Sequence, residues 1–335
     1  MKKIKIAQIG INEHSHSNQI FSSIAKQKDL FEVVGYVLPE NERERIPHKV
    51  KVFEGFSELS LDDVLNNPEI EAVAIETDEV YLTKYALMAA NAGKHIHMEK
   101  PGGVSLADFE RLISVMKKTE KVFHIGYMYR YNPYIKELIE NVKKGVLGEI
   151  ISVEAQMNCI HLPEMRQWLD RLPGGMTFWL GCHLIDLIYT LQGKPKKIIP
   201  FNKCSNFGVS NTMDFGMAVF EYENGVSFAK ANAVEFGGFA RRQLVVTGTK
   251  GTVELKPLER YESGDLLYTE KTEYDAFDWN NNGKTCKSKS FDRYDEMMCS
   301  FAKYVRQETS NPYTLDYELE LYKILLKSCG VNCDE

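Results

Sequence analysis

The first third of the chain alternates between short apolar runs and longer stretches with apolar residues at helical spacing. Short apolar runs that end at glycine or charged residues are typical of buried strands, and the stretches between them are typical of surface helices. The pattern predicts strands at 4–10, 31–37, 70–77, 94–98 and 122–126, and helices at 17–28, 61–66, 81–92 and 105–118. Because such strands pair in parallel and are covered on both faces, this part predicts a doubly wound parallel sheet of the Rossmann type.

After residue 126 the pattern changes to consecutive strands separated by turn residues such as Asn224-Gly225. Short turns between strands favour antiparallel pairing. The predicted strands are 150–157, 213–222, 226–234, 243–248 and 251–255, the helices are 133–144, 292–307 and 315–328, and 279–290 is expected to be a mobile loop. The fold class is therefore α/β, with a Rossmann domain at 1–124 and an α+β domain at 125–335 built on a large open, mostly antiparallel sheet.

Composition narrows the function classes. The 335 residues suit two domains, and the net charge of -6 provides no electrostatic surface for nucleic acid. No apolar run reaches the roughly 20 residues that cross a bilayer, and no secretory signal follows the basic start. The seven cysteines are scattered without a CxxC pair. We therefore expect a cytoplasmic protein with reduced thiols and no bound metal, nucleic acid or membrane.

Ligands of parallel α/β sheets bind outside the carboxyl ends of the strands. That rule places 10–16, 77–80 and 99–101 on one rim. The first turn carries Gly10 of a G-x-G-x-x-G dinucleotide fingerprint, but Asn12 and Ser15 replace the second and third glycines. Asparagine tolerates positive φ, and a helix N-terminus attracts phosphate, so the turn can still bind NAD or NADP, with His14 adding a hydrogen bond or charge. The opposing interpretation is a rim that no longer binds a dinucleotide.

The second strand does not reveal which dinucleotide is bound. An acidic residue at its end usually binds the adenosine ribose, and that position holds Leu38. Glu40 could substitute if the turn bends back. The preference between NAD and NADP therefore stays open.

Two residues are candidates for the chemistry. Lys100 follows the strand at 94–98 and could bind a substrate oxygen through a charge-assisted hydrogen bond, although a surface lysine beside a turn is the commoner case. His183 lies in a predicted helix and could carry a proton, although a buried structural histidine is also common. Asp186, at i+3, could orient its ring.

Several motifs together resemble the Gfo/Idh/MocA (glucose-fructose oxidoreductase/inositol dehydrogenase) family along nearly the whole chain. They are IEAVAIET, AANAGKHIHMEKP, GYMYRYNP, KKGVLGEIISVEA, WLDRLPGGMTFWLGCHLIDL and VTGTKGTVEL, in the family's order and spacing. The resemblance implies bound NAD or NADP and an oxidoreductase that acts on a hydroxyl or carbonyl carbon of a sugar, inositol or polyol. It also implies that the large sheet packs against a twin in a homodimer or homotetramer.

The resemblance assigns residues to roles. His183 would take the hydroxyl proton, Lys100 would orient the oxygen, and Arg130 would line the cleft. With the rim residues, the candidate cofactor-binding set is Gly10, Asn12, His14, Thr77, Asp78, Glu99, Lys100 and Arg130. The candidate substrate-binding set is Tyr127, Trp168, Asp170 and Trp179.

One departure from the family is Trp179, which stands where the D-x-G-x-H segment has its aspartate. Tryptophan cannot accept a proton and offers only an indole N–H. Lys100 and His183 could work alone, or Asp170 or Asp186 could take over. The chemistry could also be changed to that of an NAD-retaining hydrolase or lyase, or lost in a ligand sensor.

Overall fold

The computed structural model describes residues 2–208 and 211–333. The chain divides into two compact units: unit 1 comprises Met1–Tyr127 and Tyr294–Tyr322, and unit 2 comprises Met128–Arg293 and Lys323–Glu335. This division differs from the ranges 1–124 and 125–335 because residues 294–322 belong to unit 1.

Unit 1 contains the predicted parallel sheet. Its strands are β1 (Ile4–Ile9), β2 (Phe31–Val37), β3 (Ala72–Ile75), β4 (His95–Met98) and β5 (Phe123–Ile125), in the order β2-β1-β3-β4-β5. All pairs are parallel. The helices are α1 (Ser17–Lys26), α2 (Glu42–Arg45), α3 (Leu61–Asn66), α4 (Leu82–Asn91) and α5 (Leu106–Thr119), with a 3₁₀ turn at Val50–Phe53.

The strand order positions the rim of unit 1. All four residues of β3 are buried, as expected for a strand with neighbours on both sides. The chain leaves β1 to form β2 on one side and later returns to form β3 on the other. The strand order therefore reverses between β1 and β3, where ligands of such sheets bind.

Unit 2 contains the large, mostly antiparallel sheet. Its strands are β6 (Ile150–Gln156), β7 (Lys197–Lys203), β8 (Phe215–Glu221), β9 (Val226–Asn232), β10 (Gln243–Gly248), β11 (Gly251–Leu255), β14 (Glu270–Tyr274) and β15 (Lys284–Lys287), while β12 (Arg260–Ser263) and β13 (Leu266–Tyr268) form a separate pair. The order in the large sheet is β15-β14-β11-β10-β6-β9-β8-β7, and β6 pairs with β9 in parallel. Helices α6 (Pro133–Lys143), α7 (Pro163–Trp168) and α8 (Cys182–Gln192) belong to this unit.

The last two helices are α9 (Asp295–Val305) and α10 (Leu315–Ser328), and the division between the units falls inside α10. Helix α9 packs against α1. Ser23 donates a hydrogen bond to Asp295 (2.8 Å), and Lys26 forms an ion pair with the same carboxylate (2.8 Å). These contacts explain why 294–322 belongs to the Rossmann unit.

Two parts of the sheet prediction were incomplete. Strand β7 was missed because Pro200 interrupts its pattern, but proline is tolerated on an edge strand, where no ladder hydrogen bond is required. The prediction of a loop across 279–290 was wrong for Lys284–Lys287, which pair with β14 as the other edge strand. Thr272 and Thr285, opposite each other there, have hydroxyl groups 2.9 Å apart.

Within 2–208 and 211–333, no helix combines the length and apolar character that a membrane span requires. The same residues contain no group of three or more His, Cys, Asp or Glu side chains that could hold a metal ion.

Candidate functional site

The turn after β1 depends on one glycine. Gly10 has φ +88°, and a Cβ there would lie 2.3 Å from Cγ2 of Thr77. Asn12 does not adopt positive φ, so the conformational tolerance expected of it is not needed. The close approach of the turn to Thr77 is therefore what requires Gly10.

Asn12 takes a different role from the glycine it replaces. Its Nδ2 donates to the carbonyl of Thr77 (3.2 Å) and to Oε2 of Glu79 (2.8 Å), and its Oδ1 accepts from the amide of His14 (2.8 Å). Ser15 accepts from the amide of Ser17 through Oγ (3.2 Å). The altered turn is thus held by side-chain hydrogen bonds, and His14 is half-buried beside it.

The turn and its surroundings fit an anionic group. The N-cap residue of helix α1, His16, makes no side-chain capping hydrogen bond, and the helix dipole at this end favours a phosphate. Nζ of Lys49 donates to the carbonyls of Asn12 (2.6 Å) and Ser15 (3.1 Å). Burial lowers the pKa of Lys49. A nicotinamide dinucleotide would therefore be held here by Gly10, the start of α1 and Lys49, a residue that the sequence motif did not indicate.

The two positions considered for the ribose acid are placed differently. Glu40 accepts from Nζ of Lys84 (2.6 Å) and from the hydroxyl of Tyr85 (2.7 Å). Glu42, which sequence reasoning missed, is buried and accepts from the amide of Ile11 (3.1 Å). Burial raises the pKa of Glu42 to about 9. Glu40 is thus already paired, and the preference between NAD and NADP stays open.

Lys100 lies among buried acids at the carboxyl ends of β3 and β4. We call Glu76, Glu79 and Glu99 the carboxyl cluster; their exposed fractions are 0%, 0% and 5%, and that of Lys100 is 5%. Nζ of Lys100 is 3.6 Å from Oε1 of Glu99. Lys100 is therefore a buried cation, and the interpretation as a surface lysine is wrong.

Burial changes the titration of the whole cluster. It raises the pKa of Glu76 well above its ordinary value, an effect that Glu99 reinforces and Lys100 opposes. It raises the pKa of Glu79 to about 7, again against Lys100, and it raises the pKa of Glu99. The cluster therefore holds protons near neutral pH, as expected when several carboxyl groups share one ammonium in a dry environment.

Two histidines continue this buried polar group through the sheet. Nε2 of His97 is 3.6 Å from Oε1 of Glu76, and Nδ1 of His97 is 2.8 Å from Nδ1 of His124 on the neighbouring strand. Burial lowers the pKa of His97 to about 3. Both rings cannot donate across one contact, so one Nδ1 carries the proton and the other accepts.

Thr77 and Asp78 lie between the turn and the carboxyl cluster, and both are buried. The hydroxyl of Thr77 donates to the carbonyl of Asp78 (3.3 Å), and Oδ2 of Asp78 is 3.8 Å from Nη2 of Arg45. The structure thus brings together most of the candidate cofactor-binding set of unit 1. A cofactor contact for each of these residues stays a prediction.

In unit 2, Arg130 and Asp186 form a buried ion pair. Nε of Arg130 donates to both carboxylate oxygens of Asp186 (3.0 and 3.0 Å), and Nη2 donates to Oδ1 (2.7 Å). This pairing was not foreseen, because Arg130 was predicted to line the cofactor cleft and Asp186 to orient His183. A fork-shaped guanidinium meeting a carboxylate in this way fixes both groups strongly.

His183 lies in the first turn of α8 and is 3% exposed. The ring of Tyr129 meets it edge-on with centroids 5.4 Å apart. The hydroxyl of Tyr129 donates to Oε1 of Glu259 (2.6 Å), which also accepts from Nη1 of Arg242 (2.6 Å). Tyr129 is therefore held rigidly against the candidate acid–base residue. Burial raises the pKa of this tyrosine, so its hydroxyl stays protonated.

Trp179 belongs to an aromatic group in unit 2. It lies in a π-helical turn, Thr177–Gly181, that continues into α8, and such turns often occur at functional sites. Trp168 meets it edge-on at 5.7 Å, and the ring of His161 lies 5.5 Å away. His161 was not among the candidates, because nothing in the sequence pattern places 161 beside 179.

Asp170 and Tyr127 are the two remaining candidates. Asp170 has an exposed side chain in the 3₁₀ turn Leu169–Arg171. Tyr127 is 1% exposed and is the last residue of the first segment of unit 1. Substrate contacts of both residues stay predictions.

Two family models match the chain. Residues 4–127 match the model described as "Oxidoreductase family, NAD-binding Rossmann fold", and residues 135–254 match the GFO/IDH/MocA C-terminal domain. The matches follow each other in the order that the motifs indicated and cover most of both sheets.

Similar curated proteins include dehydrogenases. Trans-1,2-dihydrobenzene-1,2-diol dehydrogenase of Bos taurus is 25% identical over 58% of this chain and 58% of the relative. The 1-carboxy-3-chloro-3,4-dihydroxycyclo hexa-1,5-diene dehydrogenase of Comamonas testosteroni is 26% identical over 54% of this chain and 45% of the relative. The chain thus matches only about half of each relative's length.

Solved structures share the fold over the whole chain. Levoglucosan dehydrogenase in complex with NADH and levoglucosan has a TM-score of 0.79 at 16% identity, covering 98% of each chain. The 3-ketoreductase KijD10 from Actinomadura kijaniata, in complex with NADP and TDP-benzene, has a TM-score of 0.78 at 15% identity, covering 97% of this chain and 96% of the other. At such identities the likeness concerns the fold alone.

Proposed function

Because the chain belongs to the Gfo/Idh/MocA oxidoreductase family, we propose that it transfers a hydride between NAD or NADP and a hydroxyl or carbonyl carbon of a small polyhydroxylated substrate. The substrate class is a sugar, inositol or other polyol. Relatives named as diol and sugar dehydrogenases support this range. The chain belongs to an oxidoreductase family and has its NAD-binding Rossmann domain; the hydride transfer and its substrate are the parts that we propose.

The observation that carries the proposal is the buried ammonium of Lys100 among the acids of the carboxyl cluster. It follows β4 at the edge where ligands of a parallel sheet bind. A cation there stabilises negative charge that develops on a substrate oxygen as its carbon is oxidised or reduced. Since Lys100 is 5% exposed, water screens this interaction little.

The nicotinamide ring, when bound, accepts or supplies the hydride. His183 would move the proton, because a neutral imidazole can take the hydroxyl proton and a protonated imidazole can return it. The edge-on ring of Tyr129 limits the rotation of His183. We propose that Lys100 acts through its charge and that His183 acts through proton transfer.

The aromatic group around Trp179 supports a carbohydrate-like substrate. The C–H face of a sugar or cyclic polyol packs well on indole rings, while the indole N–H can donate to a hydroxyl. Trp179 is 5% exposed and Trp168 is half-buried, so Trp168 has the more accessible ring face. Trp179 brings no second carboxylate to His183, which leaves the proton transfer to the histidine.

A direct assay tests this function. The purified protein is first examined by mass spectrometry for released dinucleotide, then titrated with NAD⁺, NADH, NADP⁺ and NADPH in thermal-shift experiments, and finally screened with sugars, inositols and polyols for dinucleotide reduction. We expect stabilisation by at least one dinucleotide and its stoichiometric reduction with at least one substrate. Glycoside cleavage without net cofactor change would select an NAD-retaining hydrolase or lyase, and ligand binding without turnover would select a sensor.

A further inference from the structure

Glu79 connects the phosphate-binding turn to the surroundings of Lys100. Its Oε2 accepts from Nδ2 of Asn12 at 2.8 Å, and the same Asn12 holds the amide of His14 through Oδ1. Its Oε1 is buried without a hydrogen-bond partner among the described residues. A charge placed on the turn therefore changes the protonation equilibrium of this carboxyl group, without direct contact between Glu79 and the substrate.

The charges around Glu79 come from several segments. Lys100 follows β4, and Asp78 and Glu76 belong to the segment that carries Glu79 itself. Lys49 directly precedes the 3₁₀ turn at Val50–Phe53. Glu79 is 0% exposed. Its protonation therefore depends on the local charge balance more than on bulk solvent.

We propose that Glu79 couples occupancy of the turn to proton binding. When an anionic dinucleotide binds at Gly10–Ser15, Oε1 of Glu79 takes up a proton from solution. The inference rests on dinucleotide binding as part of the proposed function. Its role is positioning: the protonated carboxyl keeps its hydrogen bond to Asn12, and it no longer opposes the negative charge of the phosphates.

The negative charge of the phosphates favours proton uptake by Glu79, not proton release. Burial raises the pKa of Glu79 to about 7 before any ligand is bound. Nearby phosphate charge disfavours the carboxylate further and raises that pKa again. At pH 7 about half of the free protein already carries the proton, so binding takes up about half a proton there and more at pH 8. Below about pH 6 the group is protonated in both states, and uptake disappears.

Calorimetry measures this proton directly. The dinucleotide that stabilises the protein most in thermal-shift experiments is titrated at pH 6, 7 and 8, each in two buffers of different ionisation enthalpy. We expect buffer-dependent heats at pH 7 and 8, none at pH 6, and a dissociation constant that rises with pH by at most about tenfold per unit. The wild-type measurement alone decides whether a proton is taken up, even if a variant fails to fold.

Two variants locate the proton. Glu79→Gln keeps an oxygen to accept from Asn12 but cannot titrate, so buffer dependence should vanish and the dissociation constant should become independent of pH. Glu42→Gln is the matched control, because Glu42 is also a buried acid bonded to the turn but stays protonated up to about pH 9. That variant should retain the wild-type uptake.

Several outcomes would overturn the inference. Uptake that persists in Glu79→Gln would place the proton elsewhere, for instance on His14, and loss of uptake in Glu42→Gln alone would place it on Glu42. Binding with no buffer-dependent heat at any pH would refute the coupling and leave the proposed function intact. Failure of all four dinucleotides to bind would contradict the proposed function itself.

Discussion

At the scale of single residues, the environment of Lys100, which follows β4, is set by side chains that follow β3. The tripeptide Glu99-Lys100-Pro101 pointed to the lysine, but Glu76 and Glu79 give it a dry, acidic environment. Glu76 directly follows the fully apolar strand β3, and Glu79 lies three residues further on; acids in this position are the sequence signal that could have revealed them. Burial of Lys100 could not be deduced from the tripeptide, since it depends on how β3 and β4 pair.

Replacing Lys100 tests its role. We expect Lys100→Ala to lower kcat by about 10²-fold or more, as for the loss of one group that stabilises a developing oxyanion. The fold should persist, because the acids of the carboxyl cluster can neutralise themselves by binding protons. Steady-state kinetics and thermal unfolding measure the two effects.

The control for this variant is Lys94→Ala, at the other end of β4. Lys94 is also buried, and its Nζ donates to the carbonyls of Asn67 (2.6 Å) and Ile70 (2.9 Å). This change should lower the melting temperature, since two buried acceptors lose their donor, and leave kcat near the wild-type value. Equal losses of kcat in both variants would remove the special role of Lys100.

Replacing His183 tests the proton carrier. We expect His183→Ala to reduce kcat by about 10²–10⁴-fold, the usual effect of losing an acid–base group. His161→Gln, in the aromatic group beside Trp179, is the matched variant and should mainly raise KM. The reverse pattern would make His161 the proton carrier.

At the scale of elements, the β1–α1 turn has one of the three fingerprint glycines and is held by side-chain hydrogen bonds. Gly10 alone adopts positive φ at the turn, and Asn12 supplies hydrogen bonds to Thr77 and Glu79. The sequence allowed prediction of the strands and helices on both sides of this turn. It did not allow prediction of the hydrogen bonds from Asn12 to Thr77 and Glu79, because these join residues more than 60 positions apart.

Two glycine substitutions distinguish the cost of a positive φ angle from the cost of a steric clash of the added Cβ. Gly10→Ala and Gly55→Ala impose nearly equal φ angles, +88° and +87°, but only the first Cβ meets a neighbour, Thr77 at 2.3 Å, whereas the second has nothing within 4 Å. We expect Gly55→Ala to cost about 1 kcal/mol and Gly10→Ala clearly more, with loss of dinucleotide binding. Thermal unfolding and dinucleotide titration measure this, and equal effects of the two changes would contradict the close approach.

The paired histidines of β4 and β5 predict acid sensitivity. Since burial lowers the pKa of His97 to about 3, the unfolded chain binds a proton below about pH 6.5 that the folded chain refuses. Stability should therefore fall as pH decreases from about 6.5 to 3, by at most about 1.4 kcal/mol per pH unit from this group.

Thermal unfolding across that range tests the pair. His97→Gln should flatten the pH dependence, whereas His48→Gln, which removes a histidine with a largely exposed side chain, should not change it. An unchanged slope in His97→Gln would show that other groups cause the acid sensitivity.

At the scale of the whole molecule, apolar side chains at the β7–β9 end of the large sheet bear on the oligomeric state. Ile199, Val219 and Phe228 lie side by side on β7, β8 and β9 and are half-buried, and Phe201 is 45% exposed. The homodimer or homotetramer suggested by the family resemblance stays a prediction. Light scattering should give a particle mass of two or four times the 38.4 kDa chain mass. The substitution Phe201→Glu should lower that particle mass toward the mass of a single chain. A monomeric wild type would contradict it.

The presence of a parallel sheet and of a mostly antiparallel sheet could be predicted because strand periodicity and turn residues are local signals. The placement of 294–322 in unit 1 was not, since it depends on contacts such as Ser23 with Asp295. The edge strands β7 and β15 escaped because edge positions tolerate proline and charged residues. Sequence reasoning thus located the rim of the sheet but not the buried charges behind it.

Hydride transfer itself is the most direct test of the proposed function. The protein is incubated with each oxidised dinucleotide and a panel of sugars, inositols and polyols deuterated at their hydroxyl-bearing carbons, and the recovered dinucleotide is analysed by mass spectrometry. The proposal predicts one deuterium on the reduced dinucleotide with at least one substrate, and its incorporation about 10²-fold or more slower in Lys100→Ala. Absence of deuterium with every substrate, in a protein that demonstrably binds the dinucleotide, would contradict it.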